Sequence, residues 1–180
     1  MRIKFSAIPQ RSLRTLIALL LLGLLAPGLT AAGDTVRSAD SRYIDNGDET
    51  ITDTKTGLMW MKKDSYLESG HWINWFEAFD YIKDLNERGY AGHYDWRLPI
   101  VKDLQTLYEA DKVNSAQAGS EMTIHIDPVF AREGAGALWS METNGSYNAF
   151  GVVFNTGNRF NSSKKSRSRK AVRAVREANQ

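Results

Sequence analysis

The sequence predicts an α+β domain: short antiparallel strands at both ends, two amphipathic helices between them, and long irregular loops. Three observations carry this. Asn46-Gly47, the strongest short hairpin signal, sits between two β-type runs. Two central stretches carry apolar residues at helical spacing. The final third returns to alternating, β-branched and aromatic residues broken by Gly and Asn.

In order along the chain, Tyr43-Ile44-Asp45 is a strand, and Thr50-Ile51-Thr52 answers it across the Asn46-Gly47 turn. Asp53 to Gly57 is a turn cluster, and Leu58-Met59-Trp60-Met61 a third strand. The run Asp45-Asn46-Gly47-Asp48 lacks the twelfth-position ligand of an EF-hand, so it is a plain turn. Asn74 and Glu77 have the spacing of a capping box. Trp75, Ala78, Phe79, Ile82 and Leu85 then place one buried face on a helix that Gly89 closes. A second helix follows Pro99, with Val101, Leu104, Leu107 and Tyr108 on one side. From Asp111 to Gly136 the pattern dissolves, as in a functional or mobile loop. Ala137 to Met141, Phe150 to Asn155, Arg159-Phe160 and Ala171 to Arg176 are the closing strands.

Between the helices lies Tyr90-Ala91-Gly92-His93-Tyr94-Asp95-Trp96-Arg97-Leu98-Pro99, neither helix nor two-residue hairpin. Pro99 holds Leu98 extended, so Trp96 and Leu98 face a core while Asp95 and Arg97 form an ion pair on the other side. This is a structural corner. Four of the five tryptophans fall on elements with core periodicity, and Trp72 is the one placed for exposure.

Residues 1–32 read as an export signal. Arg2, Lys4, Arg11 and Arg14 form a basic start, Leu16 to Leu25 an apolar run, and Thr30-Ala31-Ala32 a cleavage site. The run is about half the roughly 20 residues a spanning helix needs, so no membrane anchor remains after cleavage. Residues 33–42 are expected to be a flexible lead-in and 43–180 a single domain. The product is expected in the periplasm or at the cell surface. With no cysteine, neither a lipid anchor on that residue nor a disulfide is available.

The signal holds four of the 23 basic and none of the 21 acidic residues. The rest of the chain therefore carries 19 against 21, a net charge of −2. That charge is uneven. Residues 33–163 hold 12 basic and 20 acidic residues, whereas Lys164, Lys165, Arg167, Arg169, Lys170, Arg173 and Arg176 come after them with no acid between.

The motifs so far placed resemble one family in content and order: Asp45-Asn46-Gly47-Asp48 through Thr56-Gly57-Leu58-Met59-Trp60, then Trp75 with Glu77-Ala78 and Leu85-Asn86. Tyr94 to Pro99 with Lys102-Asp103-Leu104, then Leu138-Trp139-Ser140, then Val172-Arg173 and Val175-Arg176 complete the pattern. The chain resembles the Lcl C-terminal domain family, named for a collagen-like bacterial adhesin. The resemblance implies a C-type-lectin-like fold, with a small twisted antiparallel sheet, two helices and long irregular loops. It also implies an exported adhesion module for anionic polysaccharides such as glycosaminoglycans. Many relatives have a cysteine in the first helix and another in the closing strand. Ile82 and Ala174 stand there and, by the resemblance, should meet as an apolar pair. Leu138 and Met141 also depart from the aromatic and small polar residues usual in the family.

No catalytic residue, metal site or cofactor is expected. His71, His93 and His125 are far apart without zinc spacing, and no serine sits in a nucleophile elbow. The formylglycine-generating enzyme, an enzymatic cousin of the implied fold, depends on cysteines that this chain lacks. The expected role is non-enzymatic carbohydrate binding. The candidate ligand residues are Asn144, Tyr147, Asn148, Asn158, Arg159, Asn161, Lys165, Arg167 and Arg169. Amides and aromatics suit sugar hydroxyls, and clustered Lys/Arg suits sulfate or carboxylate. On a strand, Lys165, Arg167 and Arg169 would share one face. The expected partner is an anionic polysaccharide or, alternatively, an envelope or pilus protein contacted by the same surface, and not nucleic acid. A solvated surface hairpin is the competing reading.

Overall fold

A computed structural model describes residues 35–179 of the chain, so the export signal at 1–32 lies outside the described residues. Five strands form the first sheet: β1 (Val36–Arg37), β2 (Tyr43–Asp45), β3 (Thr50–Asp53), β4 (Leu58–Met61) and the closing strand, Val175–Glu177. All neighbours are antiparallel, with Ile51 opposite Trp60 and Trp60 opposite Val175. The β2–β3 turn forms because its acidic side chains satisfy its own backbone. Asp45 accepts from the Gly47 amide at 3.1 Å, and Asp48 from the Thr50 amide at 3.1 Å. Gly47 takes a φ of 77°, which costs glycine little.

The lead-in read as flexible is tied down. Val36 and Arg37 pair with Asp45 and Ile44. Ser38 is buried and accepts from the Tyr43 amide at 2.9 Å, and Asp40 meets Lys112 at 2.5 Å. A two-residue strand is too short to carry a periodic signal.

Helix α1 (Ser65–Ser69) begins where Asp64 accepts from the Tyr66 and Leu67 amides and ends at Gly70 in the left-handed region. Helix α2 (Trp75–Glu87) starts at the Asn74/Glu77 capping box, and Gly89 follows it with φ 61°. Ala78, Ile82 and Leu85 are its buried residues, whereas Phe76 and Phe79 face outward. Helix α3 (Val101–Leu107) buries Leu104 and Leu107.

The irregular stretch after α3 is anchored through buried polar groups. It contains β5 (Ser115–Ala116) and β6 (Thr123–Ile124), paired antiparallel. The buried Asn114 amide donates to the carbonyls of Asp127 and Phe130, at 3.2 and 3.0 Å. The third sheet contains β7 (Ala137–Asn144), β8 (Asn148–Val153) and β9 (Arg159–Ser163), in that order. The final strand of the first sheet is β10 (Val175–Glu177).

Residues 171–177 join the sheets. Ala171 bridges Leu138 of β7, Val172 exchanges hydrogen bonds with Ser65, and Val175 exchanges two backbone hydrogen bonds with Arg97. Every residue from Ala171 to Arg176 is buried.

Two apolar clusters make the core. One holds Tyr43, Trp60, Leu104, Leu107, Phe130 and Val152; the other holds Met61, Ile82, Leu85, Trp96, Trp139 and Ala174. Ile82 and Ala174 thus lie in one apolar cluster, where the resemblance puts them, Ala174 being just ahead of β10. Ile82→Ala is expected to cost about 2–5 kcal/mol in urea unfolding, the range for large-to-small core changes.

The corner before α3 is fixed by different ion pairs from those the sequence suggested. Asp95 meets Arg176 at 2.6 Å, and Arg97 meets Asp103 at 2.7 Å and Glu177 at 3.4 Å. Oppositely charged groups from other elements reach each of them first: β10 supplies Arg176 and Glu177, and α3 supplies Asp103.

Candidate functional site

The β7–β8–β9 sheet positions most of the candidate residues. Asn144 is opposite Asn148, which is opposite Ser163; Phe150 is opposite Asn161; Leu138 is opposite Val152, which is opposite Arg159. Cross-strand partners share a face, so Asn144, Asn148, Phe150, Asn161 and Arg159 lie on one side of the sheet. The Arg159 guanidinium sits 4.2 Å from the centre of the Phe150 ring. At its inner end this face is core, where Leu138 and Val152 pack with Leu104 and Leu107 of α3. Toward the β7–β8 turn it opens to solvent, and Tyr147 at that turn is 84% exposed.

The side-chain amides of Asn144, Asn148 and Asn161, the Tyr147 hydroxyl and the Arg159 guanidinium make no hydrogen bond to any described residue. Asn158 is not part of this group. It lies in the turn at the far end of the β8–β9 hairpin, where its carbonyl accepts from the Val153 amide at 3.0 Å.

The basic segment is not a strand. β9 ends at Ser163, the Ser166 amide donates to the Ser163 carbonyl at 3.0 Å, and Arg169 takes φ 51°. Lys165, Arg167 and Arg169 therefore do not form the expected row. Most of the cations are engaged inside the protein. The Lys164 ammonium donates to the Gly145 carbonyl at 3.3 Å and lies 4.7 Å from the Trp75 ring. Lys170 covers the Trp139 and Phe160 rings at 5.4 and 5.7 Å, where burial lowers its pKa. Arg167 pairs with Glu77, whose carboxyl it holds below the ordinary range. Arg173 is buried beside Asp64 at 3.6 Å, and Arg176 meets Asp95. Among the described residues, Lys165 and Arg169 are the two members whose charged groups have no partner. Counting charges along the chain could not separate these from the buried ones.

Two open grooves were not anticipated. One, of about 680 Å³, lies beside α1 and is lined by His71, Trp72, Ile73, Glu77, Tyr81 and Arg167 among others. Trp72 is half-buried there, stacked on Tyr66 with ring centres 3.9 Å apart. The Asp64 cap and Gly70 end-glycine were the signals that could have located α1 and so this groove. The second groove, of about 460 Å³, runs beside β9 and includes Met122, Phe160, Asn161, Ser162, Arg169 and Lys170. Among the described residues no cluster of three or more His, Asp or Glu is placed to hold a metal ion. No described helix is long and apolar enough to cross a membrane.

The chain is thus an α+β scaffold with three antiparallel sheets that presents an open polar sheet face. The Lcl C-terminal domain family model matches residues 49–176, and the chain belongs to that family. Comparison with the curated proteins finds no match.

Proposed function

We propose that this chain is an exported, non-enzymatic binding module of C-type-lectin-like type that holds anionic polysaccharide at the cell surface or in the periplasm. The observation that carries the reading is the set of unpartnered groups on the open sheet face: Asn144, Asn148, Asn161, Tyr147 and Arg159. An amide both donates and accepts, matching sugar hydroxyls, and a guanidinium can bond a sulfate or carboxylate in two places. Charge supports the same ligand class. Between Glu142 and Glu177 the sequence has eight Lys or Arg residues and no carboxylate. Arg159, Lys165 and Arg169 are the exposed members without an ion pair, so they replace the expected Lys165, Arg167 and Arg169 row as the cationic contacts.

The test is retention on immobilised heparin against unsulfated dextran. Heparin binding should weaken steeply as salt rises, because exposed charges are screened. The triple variant Arg159→Glu, Lys165→Glu, Arg169→Glu should lose it while melting within a few degrees of the parent, since no ion pair is broken. Undiminished heparin binding in that variant would remove these residues from the site.

A further inference from the structure

We propose that the free edge of β9 is a docking site for an extended, acidic segment of a partner polypeptide, which adds to the sheet as a fourth strand. This surface shares Arg159, Asn161, Lys165 and Arg169 with the proposed polysaccharide site, but its defining contacts are made by backbone groups, which the peptide test reads separately.

The ladder fixes which groups are available. The Val153 amide donates to the Asn158 carbonyl at 3.0 Å, and the Lys164 amide donates to the Tyr147 carbonyl at 2.9 Å. In an antiparallel pair every second residue exchanges such bonds with its partner strand. Residues 158, 160, 162 and 164 therefore turn toward β8, and Arg159, Asn161 and Ser163 turn their amides and carbonyls outward. Ser166 takes the Ser163 carbonyl. Both backbone groups of Arg159 and Asn161 are left at the edge.

The edge lacks two of the usual protections, a bulge and a proline. β9 pairs with β8 over five consecutive residues without a register shift, and it contains no proline. The chain that leaves β9 does not fold back along it. Lys170 crosses the rings of Trp139 and Phe160 on one face, and Ala171 joins β7 at the opposite edge of the sheet. That crossing leaves the open 460 Å³ groove beside β9, with Met122, Val153 and Phe160 among its lining. Alternate side chains of an added strand would enter this groove, as in other strand-addition complexes.

Charge selects the occupant. Arg159, Lys165 and Arg169 surround the edge, and the segment between Glu142 and Glu177 has no carboxylate to offset them. Two copies pairing β9 to β9 would crowd these cations around one axis, which disfavours self-association. A strand bearing Asp or Glu meets them favourably.

The probe is a fluorescent, end-blocked octapeptide of alternating aspartate and valine, followed by anisotropy. Wild-type protein should bind it. Asn161→Pro should weaken binding about tenfold or more, because proline removes an outward amide that the β8 ladder does not use. Asn161→Ala, which keeps the amide, should bind within about twofold of wild type, and both variants should melt near the parent. The same peptide N-methylated at alternate residues, in both registers, should lose binding to the wild-type protein in at least one register. The proposal is overturned if wild type does not bind the probe, if both N-methylated peptides bind undiminished, or if Asn161→Ala loses as much as a folded Asn161→Pro.

Discussion

A chain ending at Lys170 will not fold, and circular dichroism will show no cooperative thermal transition. The truncation removes a structural centre. Val172 and Ala174 belong to one core cluster, and Ala171 and Val175 to the other. Their backbone accepts from Ser65 at 2.8 Å, Met61 at 3.1 Å, Arg97 at 2.9 Å and Trp139 at 2.9 Å. Each buried valine contributes about 1.5–3 kcal/mol and each hydrogen bond about 0.5–1.5 kcal/mol. Together these rival the roughly 5–15 kcal/mol that holds a whole domain folded. A chain ending at Glu177 is the control and should melt like the full-length protein. A clear transition in the shorter chain, within a few degrees of the control, would show that the final segment is peripheral.

Asp64→Ala is expected to cost about 3–5 kcal/mol in urea unfolding, the range for breaking a buried ion pair from one side. Asp64 and Arg173 are both buried, with Asp64 fully enclosed. One Asp64 oxygen accepts from Tyr66 and Leu67 at the start of α1; the other accepts from the Ala135 amide at 2.9 Å. Arg173 donates to the Met61 carbonyl at 2.8 Å and lies 4.9 Å from the Phe130 ring. Gly134 makes room for this arrangement, since a Cβ there would fall 2.2 Å from an Asp64 oxygen. Losing the carboxylate strands a cation in the core and uncaps a helix. Replacing both partners, as Asp64→Leu with Arg173→Met, should recover part of the loss, because no lone charge is then buried. A double variant no more stable than Asp64→Ala would mean that the cap and the Ala135 contact dominate.

The parts legible from sequence were those whose cause is local. The β2–β3 turn, the α2 capping box and Gly89 are set by residues within a few positions of one another, and they lie where their spacing puts them. Strands β7 and β8 were likewise found from their own apolar residues. Elements shaped by distant partners were not. Lys164 to Lys170 resemble a charged strand, but Trp75, Glu77 and Trp139 draw the chain into turns. Phe79 matches the helical period of α2 but stands 41% exposed: Ala78, Ile82 and Leu85 fill the buried face, and Phe79 lies at its margin edge-on to Trp75 at 4.6 Å. The sheet-face candidates Asn144, Asn148, Arg159 and Asn161 converge, and Asn158 does not, because register decides which residues share a face.

The joining of the sheets by residues 171–177 also bears on when the protein can fold. Arg173 and Met61 touch across 112 residues of chain, so their contact waits until all the chain between them has been made. Until that segment appears, the first sheet lacks β10 and Asp64 lacks its cation. Long-range closures of this kind are slow, because the loop entropy is lost before the contacts form. During synthesis from the N-terminus the first and third sheets therefore stay unjoined until residues 171–177 have been made, and the core closes around that segment afterwards.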